Sequence, residues 1–149
     1  MDQAGPGDGV LVLGATSLVG RFLLPRLAAQ GVAATALSRN PPVDGPTGIA
    51  WLKGDLSDPA LAARLPPAAT VFSLMPIWLL PAALAGLQAR GMRRLVAFSS
   101  TSRFTKQASP DASERAVARR LAAGETAAAA ACEKYCRALK AFYRRFQLP

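Results

Sequence analysis

The chain has 149 residues but contains no histidine, and only two of its residues are cysteine. Histidine is the commonest zinc ligand, and Cys132 and Cys136 alone cannot supply the about four ligands that a structural zinc ion needs. The sequence therefore predicts no metal site. We interpret the two cysteines as free, partly buried thiols. No signal peptide precedes the first apolar run, and both features favour a reducing, cytoplasmic location.

Acidic residues are scarce: 9 Asp and Glu stand against 18 Lys and Arg, a formal net charge of +9. Such a charge attracts phosphates, anionic lipid or nucleic acid without distinguishing among them. The basic residues cluster late in the chain, at Arg115, Arg119, Arg120, Lys134, Arg137, Lys140, Arg144 and Arg145. We interpret this cluster as the solvated face of a helix and not as a surface for nucleic acid. A docking surface is the alternative.

Long hydrophobic runs are also rare, and the longest uncharged one covers residues 71–87, VFSLMPIWLLPAALAGL. Its length approaches that of a membrane-spanning helix. However, Pro76 and Pro81 would each interrupt such a helix. We therefore predict a short strand, a turn and the start of an amphipathic helix here, and no membrane segment.

Apolar residues make up 51% of the chain, enough to fill one core. We predict a flexible N-terminus over residues 1–8 and a single domain over residues 9–149. Short apolar runs predict strands at 9–13, 32–37, 49–52, 70–75 and 94–98. Helical spacing predicts helices at 18–30, 58–65 and 77–90, the second capped by Asp58. From residue 113 onward we expect one long, basic C-terminal helix, interrupted at Gly124.

Alternating strands and helices of this kind are typical of the α/β class. We predict a doubly wound parallel sheet of about five strands with flanking helices, which is a Rossmann-like arrangement. The strands of such sheets are joined by right-handed crossovers, and ligands bind at the carboxyl ends of the strands.

A glycine-containing loop lies between the first strand and the first helix, and it reads GATSLVG. This position is where a pyrophosphate binds, because the N–H groups at the start of the helix point towards the anion. Glycines at both ends allow a tight turn and a close approach of the helix to the sheet. We predict cofactor contacts from Gly14, Ala15, Thr16, Ser17, Leu18, Val19 and Gly20.

The loop resembles the G-x-x-G-x-x-G fingerprint of extended and atypical short-chain dehydrogenases/reductases. These include the NAD(P)H-binding and NAD-dependent epimerase/dehydratase-like proteins. Ser17 replaces the middle glycine of the fingerprint. The order of elements supports the resemblance over roughly residues 9–125. It implies an NAD(P)-binding Rossmann domain related to oxidoreductases or epimerases that act on carbonyl or sugar-like substrates.

NAD-specific members of this family carry an acidic residue at the end of the second strand, where this chain has Ser38 and Arg39. An arginine can form charge-assisted hydrogen bonds to a 2′-phosphate, and a serine can add a hydroxyl contact. We therefore expect NADP(H) to be preferred over NAD(H). The alternative is that Arg39 is an ordinary exposed arginine.

Two further segments match positions that contact the adenosine half of the cofactor in this family. After the third strand, Gly54-Asp55-Leu56 resembles a G-D-(L/V) element, in which the aspartate and the next backbone N–H meet the adenine. The resemblance also implies that Leu74, Met75 and Pro76 border the adenosine ribose. Local capping of a helix is the alternative role for Asp55.

The resemblance leaves catalysis open. The family places a substrate-binding Ser or Thr after the fifth strand, and we assign that role to Ser100 in the run Ser99 to Ser102. A turn stabilised by hydroxyl groups is the alternative. The family's Tyr-x-x-x-Lys pair is absent, since Lys140 follows Tyr135 by five residues. We interpret Tyr135 as a packing residue.

Related chains continue into a sixth strand and a smaller substrate domain, which this sequence lacks. The chain is then either a truncated or altered copy of a reductase or a non-catalytic, cofactor-dependent regulatory or assembly protein. The edge at the fifth strand is left open for a protein partner or a second copy.

Overall fold

The computed structural model describes residues 9–131. The predicted flexible N-terminus, both cysteines, Tyr135 and the basic residues from Lys134 onward lie outside this range. The described residues form five strands: β1 (Val10–Leu13), β2 (Ala34–Ser38), β3 (Ile49–Lys53), β4 (Thr70–Ser73) and β5 (Arg94–Ala97). All neighbouring strands are parallel, in the order β3-β2-β1-β4-β5. The predicted parallel sheet is confirmed.

The described residues also form five α-helices and one 3₁₀ helix. The α-helices are α1 (Leu18–Ala29), α2 (Leu61–Arg64), α3 (Pro81–Ala89), α4 (Ser102–Thr105) and α5 (Ala112–Ala131), and the 3₁₀ helix is η1 (Ile77–Leu79). The strand order reverses between β1 and β4, because the chain continues from β1 to β2 on one side and from β4 to β5 on the other side. A ligand crevice forms at such a switch point.

Helices cover both faces of the sheet, as the doubly wound prediction requires. Leu11 and Leu13 of β1 belong to one buried cluster, whereas Val12 between them belongs to the other. Alternate side chains of a strand point to opposite faces. The helices α2, α3 and α5 pack on the face of Leu11, and α1 packs on the face of Val12.

Two predicted helices differ from the observed ones, one at a proline and the other at an aspartate that forms a turn. The helix expected from Ile77 is divided into η1 and α3, with Pro81 in the first turn of α3. The helix expected from Asp58 shortens to α2, since the Asp58 carboxylate accepts the N–H of Ala60 in a turn and the helix begins after it. The prediction that Asp58 is the N-cap was wrong.

The long helix α5 shows no interruption at Gly124, contrary to our expectation. Gly124 is buried, and a β-carbon there would lie 2.8 Å from the carbonyl oxygen of Ile77. The glycine is thus a site of close helix approach and not a break. The described part of α5 carries three arginines and two glutamates, so it is only weakly basic. The short helix α4 was not predicted.

No helix within residues 9–131 is both long enough and apolar enough to cross a membrane. The same residues contain no cluster of three or more His, Cys, Asp or Glu side chains suited to a metal ion.

Candidate functional site

The loop after β1 has the tight turn that its glycines predicted. Gly14 has a φ of 69°, a conformation that residues with a β-carbon rarely adopt. The N–H of Ser17 donates to the carbonyl of Gly14 at 3.0 Å, and the N–H of Ala15 donates to the carbonyl of Leu37 at 3.2 Å. The loop is therefore fixed both to itself and to β2.

Ser17 is the N-cap of α1, which explains why the chain tolerates serine in place of the fingerprint's middle glycine. Its hydroxyl accepts the N–H of Gly20 at 3.2 Å. No acidic side chain lies in the first turn of α1. The positive end of the helix dipole consequently has no internal counter-charge and favours an anion.

The two glycines of the loop sit where side chains would collide with backbone. A β-carbon on Gly20 would overlap the carbonyl oxygen of Ala15, so α1 packs directly on the loop. A β-carbon on Gly14 would lie 3.1 Å from the N of Met75. Leu74, just before it, donates its N–H to the carbonyl of Leu13 at 2.9 Å. The segment after β4 thus borders the loop at residues 14–20, called the phosphate loop below, and the predicted contact of Leu74 and Met75 with the adenosine ribose stays a prediction.

Ser38 at the end of β2 connects three parts of the site. Ser38 is 6% exposed. Its hydroxyl lies 3.2 Å from the hydroxyl of Thr16 and accepts the N–H of Asn40 at 3.1 Å. Its carbonyl accepts the N–H of Gly54 at 3.0 Å. Ser38 therefore holds the phosphate loop, the β2 loop and the β3 loop together at the carboxyl edge.

Arg39 and Asp55 are both exposed at this edge, on neighbouring strand ends. The carboxylate of Asp55 accepts the N–H of Ser57 at 2.9 Å and its hydroxyl at 2.7 Å. These bonds lower the pKa of Asp55, and the positive charge of Arg39 lowers it further. The bonds to Ser57 are the local turn that our alternative for Asp55 anticipated, and the adenine contact stays a prediction.

Two other predicted contact residues differ in exposure. Leu56 is 8% exposed and belongs to the core, so it offers the site its backbone. Pro76 is exposed beside the buried Ile77 at the start of η1.

A second group of polar residues lies after β5. Glu125 of α5 is the one buried charged residue within the described range, and its carboxylate accepts the hydroxyl of Ser99 and pairs with the guanidinium of Arg103. Ser100 is exposed, and its hydroxyl accepts the N–H of Ser102 at 3.2 Å. The hydroxyl run is thus ordered on the first turn of α4.

Sequence reasoning missed Glu125 and Arg103. A signal was available, because Leu121, Glu125 and Ala128 follow the helical spacing of the buried stripe of α5. A lone carboxylate on such a stripe needs a buried partner. The partners are Ser99 in the segment after β5 and Arg103 of α4, which lie more than twenty residues earlier.

The helix that follows this group is α5. The described helix α5, Ala112–Ala131, contains neither tyrosine nor lysine.

The strand order and the loop geometry together decide the fold. The chain has the Rossmann fold. Solved structures share it: MoeE5 in complex with UDP-glucose and NAD has a TM-score of 0.66 at 23% identity, and a short-chain dehydrogenase/reductase superfamily protein from Agrobacterium tumefaciens with bound NAD has 0.65 at 20%. The enzyme WbmH of Bordetella bronchiseptica, in complex with NAD⁺, has 0.65 at 14%.

These alignments cover 83%, 80% and 83% of this chain but only 48%, 43% and 52% of the three solved chains. The Rossmann domain thus spans about half the length of the structures that it resembles. No protein-family model and no curated protein matches the sequence.

Proposed function

We propose that this Rossmann domain binds NADP(H) and is related to the short-chain dehydrogenases/reductases. The phosphate loop carries the proposal. Gly14 has the turn conformation, Gly20 brings α1 onto the loop, and Ser17 caps the helix without adding charge. A pyrophosphate fits this loop, because the glycines let α1 and the segment after β4 approach it closely and the first turn of α1 holds no acidic side chain.

The preference for NADP(H) is supported by the end of β2. NAD-binding domains place a carboxylate there for the ribose hydroxyls. Here the buried Ser38 is followed by the exposed Arg39, whose positive charge contributes to lowering the pKa of Asp55. A guanidinium favours a phosphate over a hydroxyl at this position. The solved structures named above hold NAD, so the preference for NADP(H) rests on Ser38 and Arg39 of this chain.

The adenosine half of the cofactor would lie between Arg39 and the β3 and β4 ends. Asp55 keeps oxygen lone pairs for the adenine amino group, since one carboxylate oxygen accepts both bonds from Ser57. The backbone of Leu56 and the segment Leu74 to Pro76 would complete this half.

Bound NADPH would supply a hydride to a carbonyl or sugar-like substrate. Ser100 is the residue that we propose for holding the substrate oxygen, because its hydroxyl accepts one N–H from Ser102 and keeps its own hydrogen for donation. Since α5 offers neither tyrosine nor lysine within its described length, the domain provides orientation and not an evident proton donor.

The second candidate function is a non-catalytic, NADP(H)-dependent regulatory or assembly role in the cytoplasm. The described part of α5, which contains neither tyrosine nor lysine, favours this candidate. Binding of a nucleotide without a proton donor suits a protein that presents one surface to a partner when the nucleotide is bound and another when it is absent. A protein partner, or a second copy against the β5 edge of the sheet, belongs to this alternative.

Calorimetric titration with NADPH and, separately, with NADH tests the proposal. We expect NADPH to bind more tightly, and we expect Arg39→Asp to weaken its binding about ten- to hundredfold, as lost charge-assisted bonds and new repulsion would. Arg26→Asp is the matched control, because Arg26 lies in the last turn of α1, away from the loop. Equal binding of both nucleotides by the wild type would remove the NADP preference. No binding of either would refute the proposal.

A further inference from the structure

The crevice extends to both sides of the phosphate loop. Ser38, Arg39 and Asp55 lie on the β2 and β3 side, and they face the adenosine half in the proposed function. Ser99 and Ser100 lie on the opposite side, after β5, because β5 is at the other end of the sheet. A dinucleotide whose pyrophosphate sits on α1 therefore places its nicotinamide nucleoside towards the two serines.

The two serines offer opposite hydrogen-bonding capacity. The hydroxyl hydrogen of Ser99 is committed to the Glu125 carboxylate, so the Ser99 oxygen can only accept from a further partner. The hydroxyl of Ser100 accepts the N–H of Ser102, so its hydrogen stays free to donate. Adjacent residues thus present one acceptor and one donor at the same strand end.

Glu125 maintains this arrangement at an electrostatic cost. A buried carboxylate loses its hydration, and its pairing with Arg103 only partly offsets the loss. An apolar residue in the buried stripe of α5, like Leu121 and Ala128, would fill the same space without that cost. The ion pair fixes the orientation of Ser99 and anchors α4 to α5.

We propose that Glu125 is a positioning residue that holds Ser99 as the hydrogen-bond acceptor for the nicotinamide nucleoside half of the cofactor. The groups it would receive are donors, namely the ribose hydroxyls or the carboxamide N–H₂. This inference rests on the proposed function, since it requires a dinucleotide on the phosphate loop.

Comparing a whole dinucleotide with its adenosine half tests the inference. The wild type, Glu125→Gln and Ser99→Ala are each titrated with NADPH and with 2′,5′-ADP, which lacks the nicotinamide nucleoside. We expect both variants to bind NADPH about tenfold more weakly, as the loss of one or two hydrogen bonds would. Their affinity for 2′,5′-ADP should stay as in the wild type, and this unchanged affinity also reports a folded domain.

Glu114→Gln is the matched control, because it makes the same change in the same helix at a surface pair. Glu114 binds Lys106 at 2.8 Å, with side chains 38% and 36% exposed. Both ligands should bind this variant as they bind the wild type. Equal weakening of both ligands in Glu125→Gln would mean a general structural role and would overturn the inference, as would unchanged NADPH binding in Ser99→Ala.

The design also separates this inference from the proposed function. Titrations with NADH and 5′-AMP repeat the comparison without the 2′-phosphate. If the wild type binds NADH and its adenosine half but neither NADPH nor 2′,5′-ADP, the NADP preference fails. The inference is then tested by whether the two variants bind NADH more weakly while their affinity for the adenosine half stays as in the wild type. If the wild type binds none of the four ligands, the proposed function fails and the inference falls with it.

Discussion

The α-carbon of Gly20 lies so close to the carbonyl oxygen of Ala15 that a β-carbon at residue 20 would overlap that oxygen. This approach lets the start of α1 rest on the phosphate loop. The first turn of α1 keeps its place beside the crevice only while the two backbones stay in contact.

Gly20→Ala should therefore lower the free energy of unfolding by about 1–3 kcal/mol, the usual cost of overpacking, and abolish nucleotide binding. Gly31→Ala at the other end of α1 is the control. Gly31 has a φ of 65° and no atom near its absent β-carbon, so it should cost stability without affecting binding. Urea unfolding and calorimetry measure the two effects. Wild-type nucleotide affinity in Gly20→Ala would contradict this account.

Ser17 allows helix capping and ligand binding to be measured separately. Ser17→Ala removes the acceptor for the N–H of Gly20 and should cost about 1 kcal/mol of stability. Ser17→Asp restores a capping oxygen, so its stability should be close to that of the wild type. Its negative charge would repel a pyrophosphate, and nucleotide binding should be lost. A Ser17→Asp protein that binds NADPH normally would place the phosphates elsewhere.

The stability of the domain should fall as the pH drops below about 4. The pKa values of Asp55, Asp111 and Glu114 are all lowered in the folded chain, mainly by bonds from Ser57, by bonds from Ser113 and by the side chain of Lys106, respectively. A lowered pKa contributes stability above the unfolded value and loses it as the pH falls through the folded value. Urea midpoints between neutral and acidic pH measure this.

Ser57→Ala serves as the control for this pH dependence. It removes the hydroxyl that donates to Asp55, so the pKa of that carboxyl should rise towards its ordinary value. Carbon-detected NMR titration of the carboxyl follows the change. An unchanged titration curve would show that the Ser57 hydroxyl does not stabilise the ionised form.

Gly124→Ala should destabilise the domain, although the same change in an open helix stabilises by about 1 kcal/mol. The new β-carbon would lie 2.8 Å from the carbonyl oxygen of Ile77 and 3.0 Å from the N of Trp78, so α5 must move away from η1. We expect a net loss of about 1–2 kcal/mol. Thermal unfolding measures it, and a raised midpoint would mean that α5 has room to adjust.

Features with local causes were predictable from the sequence. Gly31 and Gly91 marked the ends of α1 and α3, and both have positive φ values that glycine adopts without strain. The apolar runs gave the five strands to within about two residues, and the loop at 14–20 was placed correctly between β1 and α1.

Features that depend on distant contacts were not predictable. The continuity of α5 through Gly124 depends on the approach of Ile77, and the burial of Glu125 depends on Ser99 and Arg103. The helical spacing of α5 places Glu125 on the buried stripe, but nothing near Gly124 or Glu125 in the sequence indicates which distant residues they contact. The predicted N-cap of α2 was wrong, because the Asp58 carboxylate accepts the N–H of Ala60 in a turn before the helix begins.

Backbone amide NMR during a titration with NADPH tests the central claim most directly, because it locates the ligand residue by residue. The account predicts the largest shifts in Gly14 to Gly20, at Arg39 and at Asp55, with a second group at Ser99 and Ser100. Shifts confined to the arginines of α5, Arg115, Arg119 and Arg120, would contradict it. They would show that the nucleotide is attracted by surface charge and that the phosphate loop holds no ligand.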